Sequence, residues 1–347
     1  TILWLAGQPT SEDLSTTRIG YIASTSTLPD NTTVPSPAKE AGLQVGDTIR
    51  AIDGETVRDW SDLLQTLITS SGVTGDGRRQ AVFTIERDGR TQDIVVHPLL
   101  VTEEKIRKVG ILAAYTPIIA AVPDNSYAAK LGLKAGDQLK AVDGRPLLNL
   151  VTLLDLLQAK EPAAFTLTVE RGGHDVAIPV PADRPKDAGI FGAAFRTKVG
   201  LLHTNPFAQI GGHIASTIRV LSSLLHPHSD ISISKLSGPV GIGKIFWDAS
   251  EAGIRYVVWI AILVNVNLAI FNLLPLPVLD GGHMLFATIG RLRGRALSPQ
   301  FVATAQSVFI VLLFSMIIYV SFFDVRRIAR DVRAEAQAKE AAAGSGK

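Results

Sequence analysis

The sequence predicts an α+β part followed by a membrane α-helical part, and three observations carry that prediction. The pattern SPAKEAGLQVGDTIRAIDG, Ser36 to Gly54, returns ninety residues later as SYAAKLGLKAGDQLKAVDG, Ser126 to Gly144. Two long runs, Tyr256 to Leu274 and Phe301 to Phe323, carry no charge. The first continues into NLAIFNLLPLPVLDGGH (267–283), where asparagines, prolines and an aspartate interrupt an apolar stretch.

The bulk properties narrow the classes. With 347 residues there is room for two or three domains. A net charge of +2 gives no strong field for nucleic acid, so no nucleic-acid partner is expected. With no cysteine, disulfides and thiolate metal sites are excluded.

Taken in order, residues 1–9, TILWLAGQP, read as the end of an apolar helix stopped by Gly7 and Pro9. The start lacks a Met and the marks of a signal peptide, so an upstream part is expected. Residues 18–101 and 106–183 read as two copies of one domain. RIGYIA (Arg18 to Ala23) matches KVGILA (Lys108 to Ala113), and IERDGR (Ile85 to Arg90) matches VERGGH (Val169 to His174). Each copy predicts a first strand, a short helix ended by a left-handed Gly42 or Gly132, and a strand closed by an Asp-Gly turn. An amphipathic helix and a strand pair complete a small α+β barrel.

The marker GL-x-x-GD-x-I/L-x-x-V/I-DG resembles that of a PDZ domain, in the circularly permuted order of bacterial proteases. The resemblance implies that an extended peptide pairs with a sheet edge while backbone N–H groups capture its terminal carboxylate. It puts the binding loops at Ile19, Gly20, Tyr21 and Ile22, and at Val109, Gly110, Ile111 and Leu112. A copy that only spaces or filters is the other reading, because a fold does not fix a function.

Residues 186–237 include PFAQIGGHIASTIRVLSSLL (Pro206 to Leu225), apolar at near-helical spacing. This segment either lies along a membrane interface or packs on the protein's own membrane domain. Residues 238–328 form the predicted C-terminal membrane domain, with spans at about 256–274 and 301–323, each long enough for a hydrocarbon core of about 30 Å. The alternative is a pair of buried helices in a soluble core. Residues 329–347 read as a fraying helix running into a flexible tail.

The interruption in the first span carries chemistry. Asn265 and Asn272 share a helix face, and Asn267 points elsewhere. Pro275 and Pro277 lack an N–H and cannot continue the helix, so the backbone unwinds near Leu274 to Leu279. Such backbone is tolerated at membrane depth only where protein or a wet cavity surrounds it. Asp280 follows at or near that depth, and a carboxylate there is a functional candidate with a partner.

N-x-x-P-x-P-x-L-D-G, from Asn272 to Gly281, resembles the second signature of the site-2 protease family, intramembrane zinc metalloproteases. SGPVGI (Ser237 to Ile242) is similar to that family's G-P-[VI]-x-I stretch, and the two PDZ copies point to its bacterial tandem-PDZ subgroup. The resemblance implies that Asp280 is the third protein ligand of Zn2+. The other two would come from an H-E-x-x-H helix whose Glu is the general base. Asn267 and Asn272, with Pro275 and Pro277, would hold the substrate's unwound backbone. It implies single-pass membrane proteins as substrates, such as an anti-sigma factor or remnant signal peptides, and the PDZ pair as their filter. It places the protein in a bacterial inner membrane, in contact with lipid, with the PDZ pair on the extracytoplasmic side.

One departure stands out. The histidines are at 97, 174, 203, 213, 226, 228 and 283, no two four apart, so this sequence has no H-E-x-x-H and no catalytic residue is named in it. Asp280 alone does not hold zinc, and His283 reads as a packing or supporting residue. The missing helix is expected upstream. The alternative is a non-catalytic, membrane-anchored tandem-PDZ scaffold. Arg291, Arg293 and Arg295 favour a cytoplasmic loop between the spans, while Arg326, Arg327, Arg330 and Arg333 pull the other way.

Overall fold

The computed structural model describes residues 8–344 except 29, 31, 102–105, 160, 186–188, 203–204, 227–228 and 231–235. The chain divides into two compact units. One comprises residues 9–202 with 226–230, and the other residues 203–225 with 231–347 and the first eight.

The first unit is the duplicated α+β part. Strand β1 (Gln8–Ser11) precedes copy one. Copy one then runs β2 (Ile19–Ile22), β3 (Thr25–Thr27), β4 (Thr33–Pro35), α1 (Pro37–Glu40), β5 (Thr48–Ile52), β6 (Glu55–Thr56), α2 (Trp60–Thr69), β7 (Ala81–Arg87) and β8 (Arg90–Val96). The chain continues through β9 (Leu99–Val101), β10 (Ile106–Lys108) and β11 (Ile111–Ala113). Copy two follows as β12 (Ile118–Ala121), α3 (Tyr127–Lys130), β13 (Gln138–Val142), β14 (Arg145–Pro146), α4 (Leu150–Leu157), β15 (Phe165–Arg171), β16 (His174–Val180) and β17 (Ala194–Arg196). Strand β18 (Val199–Leu202) then pairs with β1.

Local chemistry explains the repeated marker. Ser36 and Ser126 cap α1 and α3 with their hydroxyls, and Gly42 and Gly132 close those helices at φ +79° and +75°. Asp53 and Asp143 also adopt positive φ, each followed by a glycine that does, which makes the Asp-Gly turn. Asp47 is buried and takes a two-pronged bond from Arg87, Nε and Nη2 both at 2.7 Å. Asp137 takes the same fork from Arg171 at the same distances. The Gly-Asp of the marker and the Arg of the IERDGR and VERGGH segments are therefore one interaction, made twice.

The cores correct the expected domain limits. Ile19 exchanges backbone bonds with copy one, its amide to the Asp47 carbonyl and its carbonyl from the Gly46 amide. In copy two Ile119, not Val109, makes the matching bonds to Asp137 and Gly136. Val109, Ile111 and Ala113 are instead buried in the core of copy one, where β11 pairs with β2. Copy two repeats this arrangement. Phe191 is buried in its core, and β17 pairs with β12. The amides of Ala38 and Ala128 donate to the carbonyls of Val109 and Phe191 respectively. Each copy therefore begins at the strand before its marker and ends on a strand that returns to pair with it. Copy one extends through β11, and copy two starts near Pro117 and extends through β17. RIGYIA and KVGILA are not equivalent segments, because copy one carries an additional hairpin, β3 with β4, between its first strand and its marker.

The second unit is helical. Its elements are α5 (Pro206–Leu225), α6 (Pro239–Ala252), α7 (Ile254–Asn272), α8 (Asp280–Leu292) and α9 (Pro299–Gly344). Two of them are long and apolar enough to cross a membrane: α7, and α9 over Pro299–Arg333. The most apolar window of α7 is 0% buried and that of α9 is 11% buried, which is not how a soluble core holds its central helices.

Two further expectations change here. The segment 186–237 does not act as one interfacial piece, because β17 and β18 belong to the α+β part and only α5 is the amphipathic helix. The tail expected to fray from residue 329 continues as helix to Gly344. Its Ala, Glu, Lys, Gln and Arg residues are strong helix formers, which outweighs their lack of an apolar face.

Candidate functional site

Helix α7 stops at Asn272. The Leu274 amide still reaches the Phe271 carbonyl, but Pro275 then ends the ladder. The chain makes two tight turns, Leu276 amide to Leu274 carbonyl at 2.7 Å and Leu279 amide to Leu276 carbonyl at 2.9 Å. Helix α8 starts at Asp280, after an extended Leu279 that offers no side-chain cap. The expected unwinding at Leu274 to Leu279 therefore occurs and begins one residue earlier. Pro277 is buried within the turn, and Pro275 is exposed.

Gly281 and Gly282 explain why the aspartate is followed by glycines. A Cβ on Gly281 would run into the carbonyl oxygens of Leu273 and Leu274, and one on Gly282 into that of Leu276. The first turn of α8 thus lies directly on the unwound carbonyls, where only a bare backbone fits. Asp280 is exposed in that first turn, where the helix dipole favours a negative charge. Asn272 is half-buried at the end of α7, one unwound turn before Asp280. Asn267 is turned toward α5, where its Oδ1 accepts from the Thr217 hydroxyl at 2.7 Å. Asn265 is exposed and donates to the Ala261 carbonyl of its own helix. His283 is exposed one turn into α8.

The donor set decides how far a metal fits. Zinc needs three protein ligands and an open position. Among the described residues no three of His, Cys, Asp or Glu come together, so at this turn they offer the Asp280 carboxylate and not a complete zinc site. A shallow cleft lined by Phe286, Gly290, Arg291, Arg295 and Val302 lies toward the other end of α8 and includes none of Asn267, Asn272, Asp280 or His283.

A second carboxylate was missed by sequence reasoning. Asp324, buried near the end of the apolar part of α9, accepts from the amides of Gly238 at 2.9 Å and Gly241 at 2.8 Å. These are donors at the start of α6 that Gly238 cannot cap itself. The SGPVGI stretch is therefore a helix start whose cap arrives from a distant helix. A Cβ on Gly241 would press on the Asp324 carboxylate.

The expected PDZ loops separate in the structure. Ile19, Gly20, Tyr21 and Ile22 form β2, paired along its length with β11, and are not an open loop. The Tyr21 hydroxyl donates to Asp155 at 2.6 Å, and burial together with that carboxylate pushes its pKa up to about 12. Val109, Gly110, Ile111 and Leu112 lead into β11, with Gly110 at φ +83°. β11 is an edge strand, and so is β17 in copy two. The equivalent lead-in to β17 is Ile190-Phe191-Gly192-Ala193, with Gly192 at φ +69°. The signal was present, since IFGAAF (Ile190 to Phe195) repeats the outline of KVGILA, but no marker follows it.

Beside the first edge lies an ion cluster that no sequence pattern announced. Arg107 is wholly buried, and its Nε donates to Asp230 at 2.7 Å. Its Nη1 reaches Ser70 Oγ and the carbonyls of Gly72 and Gln80. Arg79 binds the same Asp230 with two nitrogens, at 2.8 and 3.0 Å. Burial alone would raise the Asp230 pKa, but the two guanidiniums outweigh it and hold the carboxyl below its usual range.

Compared with known proteins, residues 65–316 match the family described as Peptidase family M50, and residues 33–73 match the PDZ domain. Over 320 residues the chain is 29% identical to the regulator of sigma-E protease RseP of Escherichia coli (strain K12), covering 83% of this chain and 69% of that protein. It is 30% identical over 299 residues to a Treponema pallidum protein named as a zinc metalloprotease, covering 80% of this chain and 65% of the relative. To the regulator of sigma E protease of Haemophilus influenzae it is 29% identical over 320 residues, covering 86% and 71%. The chain thus spans about two thirds of the length of these relatives.

Proposed function

The chain belongs to peptidase family M50, the site-2 proteases, and from that premise we propose that it is part of an intramembrane zinc metalloprotease. Its reaction is hydrolysis of peptide bonds in the membrane segments of single-pass proteins. The observation that carries this reading is the proline-broken turn joining a membrane-length helix to Asp280, with glycines pressed onto the turn's own carbonyls.

Asp280 would hold zinc together with ligands from a part of the protein this chain does not include. Zinc, when bound, polarises the scissile carbonyl and acidifies a bound water. This chain's residues prepare the substrate. A helical peptide bond is shielded by its own hydrogen bonds, so a span must open before it is cut. Asn272 and Asn267 offer amide donors and acceptors to a strand that has lost its helical partners. Pro275 and Pro277 keep the adjacent backbone open, since neither can rejoin a helix.

The PDZ pair supplies selection. A peptide would add to the outer edge of β11 or of β17, with the backbone around Gly110 or Gly192 meeting its carboxylate. The substrates would be membrane proteins already shortened elsewhere, such as an anti-sigma factor or a remnant signal peptide. The protein would sit in a bacterial inner membrane with the PDZ pair on the extracytoplasmic side. A second reading, a membrane-anchored tandem-PDZ scaffold without catalysis, draws on the lack of a three-ligand group among the described residues.

The test is Asp280→Ala in the full-length protein. Cleavage of a membrane-embedded reporter is expected to disappear and zinc content to fall. Asn272→Ala is expected to slow cleavage with zinc retained. Full activity in the Asp280 variant would remove the zinc assignment of Asp280, and a wild-type protein that neither cleaves the reporter nor binds zinc would leave only the scaffold reading.

A further inference from the structure

Helix α5 presents two unlike faces. Phe207, Ile210, Ile214 and Ile218 are exposed along one stripe. His213 and Thr217, one turn apart on a neighbouring face, are half-buried against α7. The His213 ring lies 6.3 Å from that of Trp259. The Thr217 hydroxyl lies 2.7 Å from Asn267 Oδ1 and 2.9 Å from the His213 carbonyl. Asn265, two residues away, is spent on its own helix. Asn267 is therefore an α7 amide held by a neighbouring helix.

An asparagine gripped at its oxygen has one direction left for its Nδ2 donors. A free asparagine must lose that rotamer freedom each time it binds. We infer that Thr217 is a positioning residue: its hydroxyl fixes the Asn267 carboxamide so that the amide nitrogen is presented, already oriented, to the backbone of an opened substrate strand. Helix α5 is then part of the unwinding apparatus. The inference rests on the reading of Asn267 as a substrate-holding residue.

The experiment uses the full-length protein in lipid bilayers with two single-pass reporters. One carries an uninterrupted leucine-alanine span, the other the same span broken by an Asn-Pro pair. Thr217→Val is expected to slow cleavage of the uninterrupted reporter about three- to tenfold, the range of an interhelical hydrogen bond in a bilayer. Zinc content should not change. Thr217→Ser, which keeps the hydroxyl, should restore the rate. Asn267→Ala combined with Thr217→Val should be no slower than Asn267→Ala alone, because both remove the same device. The defect should shrink on the broken reporter, which brings its own unwinding.

A wild-type rate in Thr217→Val, a Thr217→Ser variant as slow as the valine, or effects that multiply in the double variant would each overturn the inference while leaving the protease reading intact. A wild-type protein that cuts neither reporter would remove the protease reading and this inference with it.

Discussion

At the scale of single residues, the strongest commitments in the α+β part are the two aspartate forks. Asp47 and Asp137 have side chains only 1% exposed, each gripped by an arginine and by a backbone amide three residues upstream. For Asp137, burial by itself would raise the pKa. The Arg171 fork and the Lys134 amide outweigh it, so the carboxyl sits below the usual range. The sign of the linkage follows. The pair contributes fully above the unfolded carboxylate value of about 3.9 and is lost as pH falls through the lower folded value. Asp137→Ala is expected to cost about 2–3 kcal/mol, less than a fully enclosed pair, because Arg171 remains partly hydrated. Thermal melts should show that gap constant from neutral pH down to about pH 5 and shrinking below about pH 4.

At the scale of elements, the helical unit is organised by helix ends that meet other helices. The α8 start rests on the unwound turn through Gly281 and Gly282, and the α6 start is capped by Asp324 from α9. A buried cap of this kind is worth about 1–2 kcal/mol. Asp324→Ala is therefore expected to free the start of α6, with the Gly238 and Gly241 amides exchanging hydrogen at least about tenfold faster in lipid. Unchanged protection would mean that the cap is dispensable. Neither contact could be paired from the sequence alone. A glycine after a serine, or an aspartate at the end of an apolar run, says that a backbone or a charge needs a partner, but not which one.

At the scale of the whole molecule, β1 pairs with β18, so the duplicated α+β part is entered and left side by side. This allows a clean excision that limits drawn from the repeat alone would miss. A cut at residue 183 would leave β17, the last strand of copy two, behind. Removing residues 12–198 and joining the flanking strands is expected to keep zinc binding and cleavage of a short reporter while relaxing which substrates are cut. Loss of all cleavage in a folded, zinc-loaded excision variant would remove the filter role.

The sequence by itself determined the class of each part, the duplication, the two membrane-length helices and the break between Asn272 and Asp280. These follow from local rules: charge-free length, proline's missing N–H, and a marker repeated at constant spacing. Only the tertiary structure decided which strand completes which copy. Strand pairing joins residues far apart in the chain, and an inserted hairpin shifts one register without disturbing the marker. The same holds for Asp230 between Arg79 and Arg107, Asp324 on α6, and Thr217 on Asn267. Each is a polar group whose partner is chosen by packing, and packing is not written in any one stretch of sequence.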